Sequence, residues 1–361
     1  MRSAHEARRE MYGLLMSALL ERLDAGAVVC AEGYLFELER RGYLQAGPFV
    51  PEVVLEHPEV VAQLHRDFVH AGSDVVEAFT YYAHREKLSV IGKVELVEGM
   101  NRNALAIAGS VARETDTMLA GDICNTNVFV PGDPGTRDAA LAMFEEQIGW
   151  AADAGVDFVI AETFSYGEEA LLALESIRRA GLPGVVTLAI FGEGTTLEGW
   201  PPDEACKRLE QGGATAVGLN CLRGPRTMLP LLRRVRQAVA CHVAALPVPY
   251  RTTDAEPTFF NLSDPSYRGP EQERPFPVNL DPLLCNRHEI GDFAREAFDL
   301  GIHYLGLCCG AGPHTVRALA EALGRVPPAS RYSPDMSKHA YLGTDEVIPD
   351  AYKSLGKRVV E

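Results

Sequence analysis

From about residue 27 onward, the chain alternates short β-branched, apolar runs with longer stretches whose apolar positions recur every three to four residues. Runs of the first kind read as strands buried on both faces, and stretches of the second as amphipathic helices. Eight strand candidates follow in order: AVVCA at 27–31, DVVEAF at 74–79, MLAGDI at 118–123, DFVIAE at 157–162, VVTLAI at 185–190, AVGLN at 216–220, HVAAL at 242–246 and HYLGL at 303–307. Between them lie helical segments such as PEVVAQLHRDFVHAG, RDAALAMFEEQIGWAADAG, GEEALLALESIRRAG and HEIGDFAREAFDLG, several closing on the glycine expected past a helix C-terminus.

Repeated βα units call for a parallel sheet, and eight of them argue for closure into a (β/α)8 TIM barrel. An open doubly wound sheet is the rival fold. It is disfavoured because no G-x-G-x-x-G follows the first strand, and GEGTTLEGW at 192–200 does not open onto a phosphate loop. Two stretches exceed a minimal barrel. Residues 251–287, with Pro257, Pro265, Pro270, Pro275, Pro277 and Pro282, form a long connection after the seventh strand, and loops of that length usually carry function or mobility. The polar, proline-interrupted tail from about 327 is expected to run over the surface or onto a neighbouring subunit. The reading is a catalytic barrel over 1–329 and a C-terminal extension over 330–361.

Composition narrows the class. The chain has 361 residues, 47% hydrophobic, which suits one large decorated core better than two domains. No stretch approaches the roughly 18 apolar residues that span a bilayer, and MRSAHEARREMYGLLMSALL lacks a small-residue cleavage site. A soluble cytoplasmic protein is expected, with no membrane association. The net charge of −16 is spread along the chain and no Lys/Arg-rich run interleaves with aromatics, so no nucleic-acid partner is expected. Eight cysteines are too sparse for a disulfide scaffold, and the adjacent pair Cys308-Cys309 is poorly placed to bridge itself.

In a parallel barrel the chemistry gathers at the C-terminal ends of the strands. The sixth ends in GLNC at 218–221 and the eighth in GLCCGAGP at 306–313, which brings Cys221, Cys308 and Cys309 to one mouth. Three soft ligands with a fourth position open fit catalytic zinc; a structural site would normally show four. Buried packing is the ordinary role of a cysteine, and it is assigned here to Cys30, Cys124, Cys206, Cys241 and Cys285. Three thiolates on a divalent cation leave a net charge of −1, a poor setting for splitting water but a good one for ionising an incoming thiol. Alkyl transfer to sulfur is the natural reaction.

These cysteine motifs, together with ERRGYLQAGPFVPEVVLEHPEVVAQLHRDFVHAGSDVVEAFTYYAHREKL and DFVIAETF, resemble the homocysteine S-methyltransferase family over about residues 21–329, with its betaine-dependent branch the nearest likeness. The resemblance implies a (β/α)8 barrel, a zinc ion, and homocysteine thiolate attacking a methyl group on a quaternary ammonium or sulfonium donor. Cys221, Cys308 and Cys309 match the metal ligands. Glu162 matches the carboxylate that holds the homocysteine amino group, Tyr82 a tyrosine near the metal that contacts the donor, and Asn220 a residue that orients the site from behind. The family's Asp-Gly after the first strand reads Ala31-Glu32-Gly33 here, so that carboxylate is lost or moved by one position. The tryptophan and second tyrosine of the donor cage read Phe49 and Thr163, which weakens or reshapes the cage, since Trp attracts a cation most strongly. Phe49 is kept as a cage face; Tyr81 and Phe164 are read as core. The tail is shorter than in the animal members, whose C-terminal segment helps build the oligomer; a homo-oligomer of unstated size is expected.

Glycine betaine or a related betaine is the first donor expected. A sulfonium donor, dimethylsulfoniopropionate or S-methylmethionine, is the alternative that the altered cage suggests. A zinc-bound small-molecule binding protein without turnover is a third reading, motivated by Ala31-Glu32. A zinc hydrolase ranks last, since barrel hydrolases generally use His and carboxylate ligands and His84 has no matching partner.

Overall fold

The structure is a computed structural model that describes residues 18–268 and 274–360. Most of the N-terminal stretch read for a cleavage site, and Pro270 of the long loop, lie outside the described residues.

Eight parallel strands close in sequence order, β1-β2-β3-β4-β5-β6-β7-β8, with β1 paired to both β2 and β8. They are β1 (Val28–Ala31), β2 (Val75–Glu77), β3 (Met118–Cys124), β4 (Phe158–Phe164), β5 (Gly184–Leu188), β6 (Ala216–Asn220), β7 (His242–Leu246) and β8 (Tyr304–Leu307). The main helix after each strand is, in turn, α1 (Pro58–Ala71), α2 (Val97–Thr115), α3 (Pro134–Ala154), α4 (Gly167–Ala180), α5 (Pro202–Gly212), α6 (Pro225–Ala238), α7 (Arg287–Asp299) and α8 (Pro313–Ala322). All eight strand candidates of the sequence fall on these strands.

Local chemistry sets the helix ends. Asp133 caps α3 by accepting from the Gly135 and Thr136 N–H groups, and Asn286 caps α7 in a reciprocal pair with Glu289. Gly155 and Gly181 take the left-handed conformation that stops α3 and α4, at φ 74° and 75°.

The period-two alternation of the strands sorts side chains into two cores. Val29, Val76, Val159, Val186, Val217, Val243 and Leu305 face the helices in the larger core. Val28, Cys30, Val75, Ala120, Ile160, Val185, Ala216, Ala244 and Tyr304 fill the barrel axis, and Leu19 and Leu23 cover its lower end. Toward the C-terminal ends the inward positions turn polar: Glu32 two residues beyond Cys30, Glu77 beyond Val75, Asp122 beyond Ala120 and Glu162 beyond Ile160, all buried.

Among its described residues the connection after β7 has no long element of its own; it carries the antiparallel bridge Tyr250–Leu284 and a short 3-10 turn at Asp281–Leu283. The tail beyond α8 carries a helix at Asp350–Val360 and is exposed over most of 331–350. Among the described residues no helix is long and apolar enough to cross a membrane.

Candidate metal and substrate site

Cys221 follows β6 directly, and Cys308 and Cys309 follow β8. Parallel pairing holds both turns against β7: the Cys221 N–H donates to Leu246 O at 3.0 Å and the Cys308 N–H to Pro247 O at 3.0 Å. The thiols converge, with Sγ of Cys309 3.6 Å from Cys221 and 3.8 Å from Cys308, and all three sulfurs within 4.8 Å of one another. Thiolates about 2.3 Å from a tetrahedral zinc stand about 3.8 Å apart, so the spacing fits that ion. The Cys308 and Cys309 groups, hydrogen-bonded to Cys221, hold its thiol well below the ordinary value. Burial raises Cys308, and the bond to Cys221 raises Cys309.

Behind the thiols Asn220, fully buried, ties the polar groups together. Its Nδ2 donates to Glu162 Oε2 at 2.6 Å and lies 2.9 Å from Thr163 Oγ1 and 3.2 Å from Glu32 Oε2, while its Oδ1 accepts the Thr163 N–H at 2.9 Å. The Thr163 hydroxyl also reaches Glu162 Oε2, at 3.0 Å. Glu32 thus faces Glu162 across one amide, so a carboxylate is retained here one position along the chain. Gly33 is required for packing, since a Cβ there would sit 2.2 Å from Ala311 O.

Glu77 and Asp122 join this acidic pocket and escaped the sequence reading. Glu77, Asp122 and Glu162 bring carboxylate oxygens within 4.8 Å of one another, and among the described residues no lysine or arginine lines the pocket. Burial, and then the charge of Glu162, push Glu32, Glu77 and Asp122 well above the usual carboxyl range. Burial followed by the charge of Cys221 raises Glu162 to about 8. Glu32 Oε1 and Asp122 Oδ1 are buried with no hydrogen-bond partner. The signal was available: each of the two missed acids occupies an inward, period-two position in an otherwise apolar strand.

On the other side of the thiols lies a cleft of about 260 Å³. Phe49, Tyr81 and Tyr82 line it beside Thr163, Cys221 and Cys309, and Phe259, Phe260 and Phe276 of the long loop complete it. The rings are contiguous: Phe36 lies 5.9 Å from Phe49 and 6.0 Å from Phe259, and Phe260 meets Phe276 edge-on at 4.4 Å. Tyr81, read as core, lines the cleft, whereas Phe164 is fully buried against Phe144. Among the described residues no lysine, arginine, aspartate or glutamate lines this cleft. A larger groove of about 690 Å³ between α6 and α7 contains none of the three thiols.

Backbone strain is concentrated around the cleft. Six residues that line it, Phe49, Tyr82, Asn127, Thr163, Cys221 and Leu222, have φ between 51° and 63° without being glycine. Each such residue costs on the order of 1–3 kcal/mol and persists where surrounding structure over-determines it, a pattern typical of binding sites.

Comparisons with known proteins agree with the barrel fold. The family model for homocysteine S-methyltransferase matches residues 29–323. The betaine–homocysteine S-methyltransferase 1 of Mus musculus is 38% identical over 327 residues, covering 86% of this chain and 77% of its own. The S-methylmethionine–homocysteine S-methyltransferase of Rattus norvegicus is 37% identical over 337 residues, covering 90% of this chain and 86% of its own. The metallated form of the homocysteine methyltransferase MmuM of Escherichia coli shares the fold, with a TM-score of 0.65 at 17% identity over 84% of this chain and 98% of its own. With a barrel of this topology and a family match across nearly all of it, the chain belongs to the homocysteine S-methyltransferase family.

Proposed function

We propose that the chain moves a methyl group from a small onium donor to the thiol of homocysteine, giving methionine. The observation that carries this reading is that Cys309 lines both the acidic pocket and the uncharged aromatic cleft. A sulfur held at the three thiols would therefore face a cation held among the rings.

Cys221, Cys308 and Cys309 would hold zinc, whose thiol spacing they match. When bound there, the ion would supply the positive charge on which an incoming thiol ionises near neutral pH. Glu162, fixed by Asn220 and Thr163, takes the homocysteine ammonium, with Glu32 and the Gly33 backbone beside it. Phe49 and Tyr82 are donor walls that align the methyl group for in-line attack. The new S–C bond forms as the onium C–N or C–S bond breaks, and the electron pair stays on the departing nitrogen or sulfur. That leaving group is neutral, so no side chain has to protonate it.

Glycine betaine or a related betaine is the first donor assigned. A sulfonium donor is the second reading, favoured by Phe49 and Thr163 standing where the family carries larger rings, and by the S-methylmethionine-using relative. We further assign residues 1–329 to the catalytic barrel and 330–361 to a C-terminal extension that runs over the surface or onto a neighbouring subunit of a homo-oligomer.

The deciding experiment is mass spectrometry of methionine formed from homocysteine by zinc-loaded protein, with glycine betaine, dimethylsulfoniopropionate and S-methylmethionine in parallel. Methionine from one donor identifies it. Homocysteine binding without product from any donor would replace the enzyme by a binding protein.

A further inference from the structure

The donor cleft raises a question of charge. A zwitterionic donor brings a carboxylate as well as an onium group, and among the described residues the cleft lining contains no lysine or arginine to receive it. Arg223, next in the chain to Leu222, spends its guanidinium on the carbonyls of Ile190, Phe191 and Gly192.

Lys87 is placed differently. It sits in the short helix Arg85–Val90, whose cap His84 accepts the Lys87 N–H at 3.4 Å. Its Nζ lies 4.1 Å from the ring centroid of Tyr82, a cleft wall, while Lys87 itself stands just behind the residues that line the cleft. The residue is partly buried and, among the described residues, forms no ion pair. The neighbouring Arg85 is held by Glu146. Burial pulls the amine below its ordinary value, as expected of a desolvated cation without a partner.

From this geometry we infer that Lys87 is the counter-charge for a carboxylate on the methyl donor, so that the cleft selects zwitterionic onium compounds over carboxylate-free ones. The inference rests on the methyl-transfer reading and names the substrate class of that cleft. A carboxylate-free onium would bring a second uncompensated cation to the Tyr82 ring. A zwitterion lays its onium group among the phenyl rings and its carboxylate toward Nζ, which relieves both costs.

The test compares Lys87→Met and Lys87→Arg with the unaltered, zinc-loaded protein, using its best zwitterionic donor and trimethylsulfonium. Lys87→Met is expected to raise KM for the zwitterion about ten-fold, the worth of a charge-assisted contact, with kcat held at saturation. KM for trimethylsulfonium should fall, because the variant removes the competing cation at the Tyr82 ring, and Lys87→Arg should recover most of the loss for the zwitterion. An equal change for both donors would make Lys87 only a prop for Tyr82, and no change would remove its role; either overturns the inference. If the unaltered protein makes methionine from no donor, the methyl-transfer reading falls. Calorimetric binding of glycine betaine and tetramethylammonium then decides the Lys87 assignment, which requires that Lys87→Met weaken only the former.

Discussion

The Asn220 amide donates to Glu162 Oε2 at 2.6 Å, and Asn220 immediately precedes Cys221 in the chain. One side chain therefore fixes the distance between the carboxylate assigned to the substrate ammonium and the first thiol of the metal set. Replacing it with leucine would leave Glu162, Glu32 and the Thr163 N–H short of a partner at a fully buried position. Asn220→Leu is expected to lose roughly 1–3 kcal/mol of stability and to raise KM for homocysteine. Denaturant unfolding and steady-state kinetics measure the two; a variant as stable as the parent would show that the amide contributes no stability.

Cys308→Ala should lose the metal. Elemental analysis after dialysis is expected to find no zinc in this variant and one equivalent in Cys206→Ser, whose thiol lies 3.9 Å from Gly218 O between helix and strand. Full zinc content in Cys308→Ala would remove this cysteine from the ligand set.

The acidic pocket makes the metal-free protein sensitive to alkali. An acid whose pKa is higher folded than unfolded stabilises the fold while it is protonated, and that stability is lost as pH rises through the folded value. For Glu162 the window runs from the ordinary 4.5 to about 8, and Glu32, Glu77 and Asp122 are shifted in the same direction. Thermal unfolding of chelator-treated protein should occur at a lower temperature at pH 8 than at pH 5, and Glu77→Gln should flatten the slope. A midpoint that rises across this interval would contradict the assignment.

Phe49→Trp should restore a stronger cation face to the cleft. A gain of about 0.5–1 kcal/mol in cation–π attraction predicts a KM for glycine betaine roughly two- to five-fold lower. An unchanged KM would show that position 49 does not touch the onium group.

Arg40 donates to Gly310 O at 3.0 Å and to the Tyr250 hydroxyl at 3.1 Å, and pairs with Asp281. It thereby clamps the turn that carries Cys308 and Cys309 to the long loop. Arg40→Ala should weaken zinc binding about ten-fold in competition with a chelator; equal retention of zinc would leave Arg40 as a surface contact alone.

Much of this architecture was legible in the residues. Parallel strands covered on both faces need continuous apolar runs, and those runs marked all eight strands, after which the barrel rule located Cys221, Cys308 and Cys309 at one mouth. Glu162 and Tyr82 emerged through family resemblance, because an acid or an aromatic at a strand end is common. Other features were hidden for physical reasons. Phe260 and Phe276 lie in a proline-rich connection with no periodicity to reveal which way they face. The left-handed backbone at Phe49, Tyr82 and Thr163 leaves no trace in residue type, since a bulky or β-branched side chain normally argues against it. Glu77 and Asp122 were visible only as interruptions of an apolar rank.

The position of the aromatic walls divides the molecule into parts that can change at different rates. The thiols and Glu162 are anchored in barrel strands or the turns that leave them, where a shift would disturb neighbouring strands. Phe259, Phe260 and Phe276 sit on a connection outside the strands, tied to the barrel by loop contacts such as the Phe259 N–H to Leu222 O bond, and it can be rebuilt without moving the strands. Descendants of one barrel can thus keep a fixed acceptor while exchanging the compound that supplies the methyl group.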